Sequence, residues 1–239
     1  FYKCIPVLFD IKSLPLRRLF REIVMGTSKE MTSGAALPLI FNFAMPVLLA
    51  NLLQQTYSLI DAAIVGKFLG IDAFSAVGAS TSVIFLIIGF CNGCCAGFGI
   101  PVAQKFGARD YSTMRRYVSI SLQLAAVMSV IIAVVTSLYC RDILRIMQTP
   151  ENIFRDAYFY LLVTFIGVPC TFFYNLLSSV IRALGDSKRP LYFLLVASFL
   201  NIGLDLLCII VFRMGAFGAA FATVFSQAVA GLGSLLYIL

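Results

Sequence analysis

Histidine and tryptophan are missing from this chain, and charge is scarce. Without imidazole there is no histidine general base and no histidine-ligated zinc or haem. Only 12% of the 239 residues are Asp, Glu, Lys or Arg, about half the share in a soluble globular domain. Such thin charge excludes a soluble enzyme, and 61% hydrophobic residues with 22 Phe exclude intrinsic disorder. A membrane-embedded enzyme needs a nucleophile–base pair or a metal centre, and neither is present, so no catalytic activity and no cofactor are expected. What is present instead is long apolar sequence. The chain starts at Phe1 and is expected not to be a complete translation product.

A membrane-crossing helix takes about 20 mostly apolar residues. Six runs qualify, at about 38–68, 73–102, 117–139, 157–181, 191–212 and 216–239. None alternates as a barrel strand does, so the expected fold is all-α, a polytopic six-helix transmembrane bundle over residues 35–239. Residues 1–34 are separate: they hold six Lys and Arg and no spanning run. They read either as a cytoplasmic basic segment with an amphipathic helix over Leu14–Met25 on the inner surface, or as sequence upstream of a true start at Met25 or Met31. The net charge of +7 is scattered between apolar runs, not gathered into a stripe, which argues against nucleic acid and for basic cytoplasmic loops. With the N-terminus inside, thirteen Lys and Arg face the cytoplasm and five face out, as expected for a multi-pass protein of the cell membrane. Leu239 ends in apolar sequence with no polar cap, which predicts that the helix belongs to a longer chain.

Seven cysteines include the cluster Cys91–Asn92–Gly93–Cys94–Cys95. Cys-x-x-Cys binds zinc in other settings, but here no second pair completes a site. Gly89, Gly93, Gly97 and Gly99 flank the cluster in an apolar span, so close helix packing is the better reading. Pro46, Pro101 and Pro169 fall in or at the ends of spans and predict kinks.

The informative residues are two acids. Nine of eleven carboxylates lie in loops or at span ends, while Asp61 and Asp205 lie within the first and fifth spans. A carboxylate in hydrocarbon costs about 2.5–3.5 kcal/mol on insertion scales, and Lys and Arg are assigned to loops and span ends, away from both. Each acid is therefore protonated, hydrated or paired with a cation. Asn201 precedes Asp205 by one helical turn, and Thr223 lies inside the sixth span. Asp61, Asp205 and Thr223 each sit seven residues from the outer end of their span, roughly 10 Å deep. Oxygen donors of this kind suit Na⁺, and paired carboxylates suit H⁺. Asn201 and Thr223 also read as interhelical hydrogen-bonders. Gln55, Tyr57, Tyr174 and Asn175 are weaker candidates, either lining a substrate cleft or bridging helices.

Several segments together resemble the MATE family, the multidrug and toxic-compound extrusion transporters. They are Met45–Gly70 (MPVLLANLLQQTYSLIDAAIVGKFLG), Gly107–Tyr111 (GARDY), Arg182–Pro190 (RALGDSKRP), Asn201–Asp205 (NIGLD) and Met214–Thr223 (MGAFGAAFAT), in family order across residues 31–239. The resemblance implies two six-helix lobes, twelve helices in all, of which this chain matches the N-terminal lobe and lacks the C-terminal one. It implies secondary antiport of organic, often cationic, drugs or metabolites against Na⁺ or H⁺. It further implies a cation site at the positions of Asp61, Asn201, Asp205 and Thr223, which become metal ligands if the ion is Na⁺. Two other readings stand beside it: a flippase for lipid-linked oligosaccharide from the same superfamily, and a half-transporter inactive alone. A flippase needs cationic side chains inside the bundle to pair with phosphate.

Overall fold

The computed structural model describes residues 36–238. Among them there are helices and no strands. In chain order they are α1 (Ala36–Leu69), α2 (Ile71–Gly107), α3 (Tyr111–Leu138), the short α4 (Cys140–Ile146), α5 (Glu151–Ile166), α6 (Val168–Ala183), α7 (Lys188–Leu206), a π-helical turn (Leu207–Val211) and α8 (Gly215–Ile238). The amphipathic helix expected at Leu14–Met25 lies outside the described residues.

Within the described residues each of the six apolar runs is helical, with ends that differ from the sequence boundaries for local reasons. Helix α3 starts at Tyr111, not near 117, because Asp110 caps it: its Oδ1 accepts from the Thr113 backbone N–H at 3.2 Å. The fourth run is two helices. Helices α5 and α6 meet at Gly167 with a bend of 47°, and Pro169 sits in the first turn of α6. The kink expected at Pro169 is thus a break, since proline is accepted in a helix's first turn and not in its interior. Pro46 and Pro101 lie inside continuous helices.

Among the described residues, four helices are long and apolar enough to cross a bilayer, and the bent α5–α6 pair passes the same test of length and composition when taken as one span. Helix α1 has the length, at 34 residues, but is more polar, carrying Asn51, Gln54, Gln55 and Asp61. The exterior is apolar: Phe85, Leu138, Phe199 and Val211 are all more than half exposed. Soluble monomers rarely show apolar surface on this scale; in lipid it is the stable arrangement.

Two stripes of small residues on α2 behave differently. Cys91, Cys95 and Gly99 face inward, with Cys91 and Cys95 buried. The Ser179 hydroxyl donates to the Cys95 carbonyl at 2.8 Å, and a Cβ on Gly99 would lie 2.6 Å from Ser179 Oγ. This is close α2–α6 packing, as expected for the cysteine cluster. Gly89, Gly93 and Gly97 do not take part. They lie on the opposite face with nothing within 4 Å of a built Cβ, so the close approach expected of them is limited to Gly99. Among the described residues, no three His, Cys, Asp or Glu side chains gather as a metal cluster.

Two short turns, α2–α3 and α6–α7, are built from cap chemistry. In Gly107–Tyr111, α2 ends, Arg109 takes a left-handed conformation (φ 57°) and Asp110 starts α3. The Asp110 carboxylate also meets Lys105 at 3.7 Å. In Arg182–Pro190, Gly185 turns left-handed (φ 87°) to end α6. Asp186 Oδ1 then accepts from the backbone N–H groups of Lys188 and Arg189 at 3.1 and 3.2 Å to start α7. These motifs stop one helix and start the next within four residues.

A candidate cation site between four helices

Helix α8 is central, packing on α5, α6 and α7, while α1 packs on α7. This arrangement brings Asp61, Asn201, Asp205 and Thr223 onto packed helices, with Thr223 level with Asn201, one turn from Asp205, and not with Asp205 itself as its span depth predicted. Asp61 on α1 and Asp205 on α7 are direct electrostatic neighbours. Asp61 is 7% exposed and Asp205 0%. One turn along α7, the Asn201 amide donates from Nδ2 to Thr223 Oγ1 on α8 at 3.2 Å. The interhelical bond considered for Asn201 and Thr223 therefore forms, and it leaves the Asn201 Oδ1 lone pairs unused.

The donor inventory is one-sided. Asp61 Oδ1, both carboxyl oxygens of Asp205 and Asn201 Oδ1 are buried with no protein hydrogen-bond donor. A buried acceptor left unmatched costs about 1–3 kcal/mol, more when charged. No Lys or Arg of the described residues forms an ion pair with either acid. Four unmatched oxygens with the Thr223 hydroxyl nearby form a set that a hard cation satisfies. A proton shared between the carboxyls satisfies part of the same set.

Two tyrosines that sequence reasoning undervalued frame the acids. Tyr160 on α5, 9% exposed, has Asp61, Tyr57 and Asp205 as its electrostatic neighbours. Tyr57, one turn before Asp61 on α1, faces both Asp61 and Gln227 of α8. A buried phenol usually keeps a polar partner for its hydroxyl, so a Tyr inside an apolar span was the available signal. Tyr57 also lines a small cleft with Asn201, Thr223, Ser226 and Gln227. The other weak candidates separate: Tyr174 is buried, Asn175 is half-buried, and Gln55 is exposed on α1.

Tertiary structure adds two features that no sequence motif marked. A π-helical turn, Leu207–Val211, follows Asp205 at once, with the Phe212 N–H reaching the Leu207 carbonyl at 3.0 Å. Such turns often sit at functional positions in helices. The α5–α6 break at Gly167 seats Val224, the neighbour of Thr223: any Cβ on Gly167 would overlap the Val224 side chain. One sequence assignment is corrected here. Arg182 belongs not to the inner loop but to the last turn of α6, half-buried, with Tyr174 and Cys95 as neighbours.

With this geometry in place, comparison with known proteins is informative. The MatE family model matches residues 46–207. The chain is 35% identical over 210 residues to the probable multidrug resistance protein YpnP of Bacillus subtilis, covering 88% of this chain and 47% of that protein. It is 34% identical over 224 residues to the probable multidrug resistance protein YoeA of the same organism, covering 90% and 48%. Among solved structures, an outward-facing multidrug resistance MATE family transporter of the MOP superfamily superposes with TM-score 0.78 at 27% identity over 83% of this chain and 44% of that one. A MATE structure in the bent conformation gives TM-score 0.78 at 26% identity over 94% and 46%. The chain spans about half the length of the curated relatives it matches.

Proposed function

This chain belongs to the MatE family, and from that premise we propose that it is the N-terminal lobe of a secondary antiporter. The transporter exports organic, mainly cationic, drugs or metabolites by alternating access in exchange for Na⁺ or H⁺. The second lobe is its missing partner, the cell membrane its location, and the cytoplasm the side of its N-terminus. Residues 35–239 make up the lobe, and residues 1–34 a basic cytoplasmic segment.

One observation carries the reading: a buried Asp61–Asp205 pair, with Asn201 and Thr223 one turn away, with which no Lys or Arg among the described residues forms an ion pair. Loading a cation removes the repulsion and the unmatched oxygens together. Because the acids come from α1 and α7, loading changes which packing of those helices is preferred. A ligand shifts a conformational equilibrium only by its differential affinity for the two states, and a charge pair at a helix interface supplies that difference. One elementary charge moved across 100 mV supplies about 2.3 kcal/mol, enough for modest uphill export.

The test is Asp205→Asn in the protein expressed from its full reading frame, in proteoliposomes with Na⁺ and pH gradients imposed separately. Gradient-driven efflux is expected to fall at least tenfold, with unchanged amounts of protein in the membrane. Undiminished efflux would sink the cation-site assignment. Whichever gradient drives the unchanged protein identifies the ion.

A further inference from the structure

Arg182 is a cation turned into the bundle. An arginine at the end of a span normally runs its side chain out to the membrane surface. In the last turn of α6, Arg182 is instead half-buried, with Tyr174 about two turns earlier and Cys95 of α2 as its electrostatic neighbours. It forms no ion pair among the described residues. Asp186, a carboxyl one turn further along the chain, is engaged elsewhere. Its Oδ1 accepts from the backbone N–H groups of Lys188 and Arg189, and its Oδ2 accepts from the Tyr237 hydroxyl.

Asn175, Ser178 and Arg182 lie within about 60° of one another around α6. Leu177, Val180 and Leu184 lie roughly opposite and pack into the apolar core. Side chains on a helix tilt toward its N-terminus, so Arg182 lies back over Ser178 toward Asn175. Asn175 Nδ2 and Ser178 Oγ are buried with no hydrogen-bond partner. Other hydroxyls nearby are matched: Thr171 donates to the Gly167 carbonyl at 3.5 Å and Ser179 to the Cys95 carbonyl at 2.8 Å. Helical serines elsewhere in the bundle bond back to the carbonyl one turn earlier, as Ser80 and Ser198 do at 2.8 Å. Ser178, 2% exposed, does not. Asn175 and Arg182 are half-buried, which leaves this face open to a ligand.

The set is the reverse of the acid pair: donors and positive charge without an acceptor. An oxyanion satisfies it. A guanidinium gives a carboxylate two parallel N–H bonds, and an amide and a hydroxyl reach the remaining lone pairs. One arginine matches one negative charge. A pyrophosphate needs more cations on the same face, and Lys188 and Arg189 lie beyond it at the exposed turn, with Arg189 over the Tyr237 ring at 4.8 Å.

We propose that Asn175, Ser178 and Arg182 form a subsite for a single carboxylate on an exported compound, so that the transporter takes zwitterions as well as simple organic cations. The subsite rests on the export reading above and adds a substrate class to it.

The test is equilibrium dialysis of two dyes against the full-reading-frame protein in detergent, counted above protein-free micelles. Rhodamine B carries a free carboxylate, and its ethyl ester does not. Arg182→Gln is expected to weaken rhodamine B binding roughly tenfold or more, as for loss of a charge-assisted hydrogen bond, and ester binding by less than about twofold. Arg182→Lys, which keeps the charge and loses the fork, is expected to fall between. Ser178→Ala is expected to weaken rhodamine B alone, by about threefold. These two variants carry the same comparison if Arg182→Gln does not reach the membrane. Equal effects on both dyes, no effect on either, or no binding of rhodamine B by the unchanged protein overturns the subsite. Displacement of rhodamine B by phosphatidylglycerol more readily than by benzoate gives the face to a lipid headgroup and also overturns it. Efflux of both dyes from proteoliposomes separates the two readings. Carboxylate-selective binding in a protein that exports neither dye keeps the subsite and sinks the export reading. Export of both dyes in an unchanged ratio by Arg182→Gln keeps the export reading and sinks the subsite.

Discussion

The side-chain amide of Asn201 on α7 holds the Thr223 hydroxyl of α8 at 3.2 Å. That single bond fixes Asn201 Oδ1 as an unmatched acceptor one turn from Asp205. It ties the helix bearing one acid to the central helix of the bundle, so under the proposed cation-site reading a change in loading at Asp205 would reach α8. The direct evidence for such coupling is a double-mutant cycle.

Asn201→Ala, Thr223→Val and the double variant are expected to be non-additive. An interhelical hydrogen bond contributes about 0.5–1.5 kcal/mol, so the interaction energy from thermal unfolding in detergent should fall in that range. Ion affinity, read from the gradient dependence of efflux, should weaken about three- to tenfold in each single variant, with little further loss in the double. Additive losses would place the two side chains in independent roles.

Asp61→Asn keeps the shape of the side chain and removes one of the paired charges. Driven efflux should drop at least tenfold, as for Asp205→Asn, and the double variant should be no worse than either single one. Groups acting as a unit are strongly non-additive. Equal expression of all three, checked by quantitative immunoblot of membranes, separates lost coupling from lost folding.

The α5–α6 break gives a packing prediction. Gly167→Ala places a methyl group into the Val224 side chain, and overpacking of this kind typically costs about 1–3 kcal/mol. The expected outcome is a lower unfolding midpoint in detergent, largely restored by adding Val224→Ala. Failure of that second substitution to restore stability would show that the break has another cause.

The α2–α3 turn gives a pH prediction. The Thr113 hydrogen bond at the α3 N-terminus, helped by Lys105, holds the Asp110 carboxyl below its ordinary value of 3.8. A carboxyl with a depressed folded value contributes stability above its unfolded value and loses it as pH falls through the folded value. The stability difference between the unchanged protein and Asp110→Ala should therefore be constant from about pH 7 to pH 5 and shrink below about pH 4. Asp110→Asn, which still accepts a hydrogen bond, should keep part of the cap and flatten that pH dependence. Melting curves in detergent across this range are the check.

Much of the architecture was legible because lipid imposes it. Continuous apolar runs in a chain with 12% charge leave helices as the way to satisfy the backbone, and turn chemistry at Gly185, Asp186 and Asp110 sets where they stop and start. Asp61 and Asp205 stood out for the same reason, since charge inside a span is expensive. Their facing arrangement did not follow from depth, because seven residues from a span end fixes a level and not a direction around the helix. Arg182 was misplaced because an arginine after an apolar run marks a span end equally well as loop or last turn. The glycines of α2 show the same limit: a small-residue stripe is visible in sequence, but Gly89, Gly93 and Gly97 turn away from the bundle while Gly99 turns in.

The sequence by itself determined the membrane setting, the helices and the identity of the two acids, because each follows from local composition against the energetics of a bilayer. Tertiary structure alone decided that Asp61 meets Asp205, that Tyr57 and Tyr160 border them, and that Asn201 bonds Thr223. Those outcomes depend on how α1, α5, α7 and α8 rotate and cross, including the break at Gly167 and the π-helical turn after Asp205. That rotation is set by packing between residues far apart in the chain, for which no local pattern carries a signal.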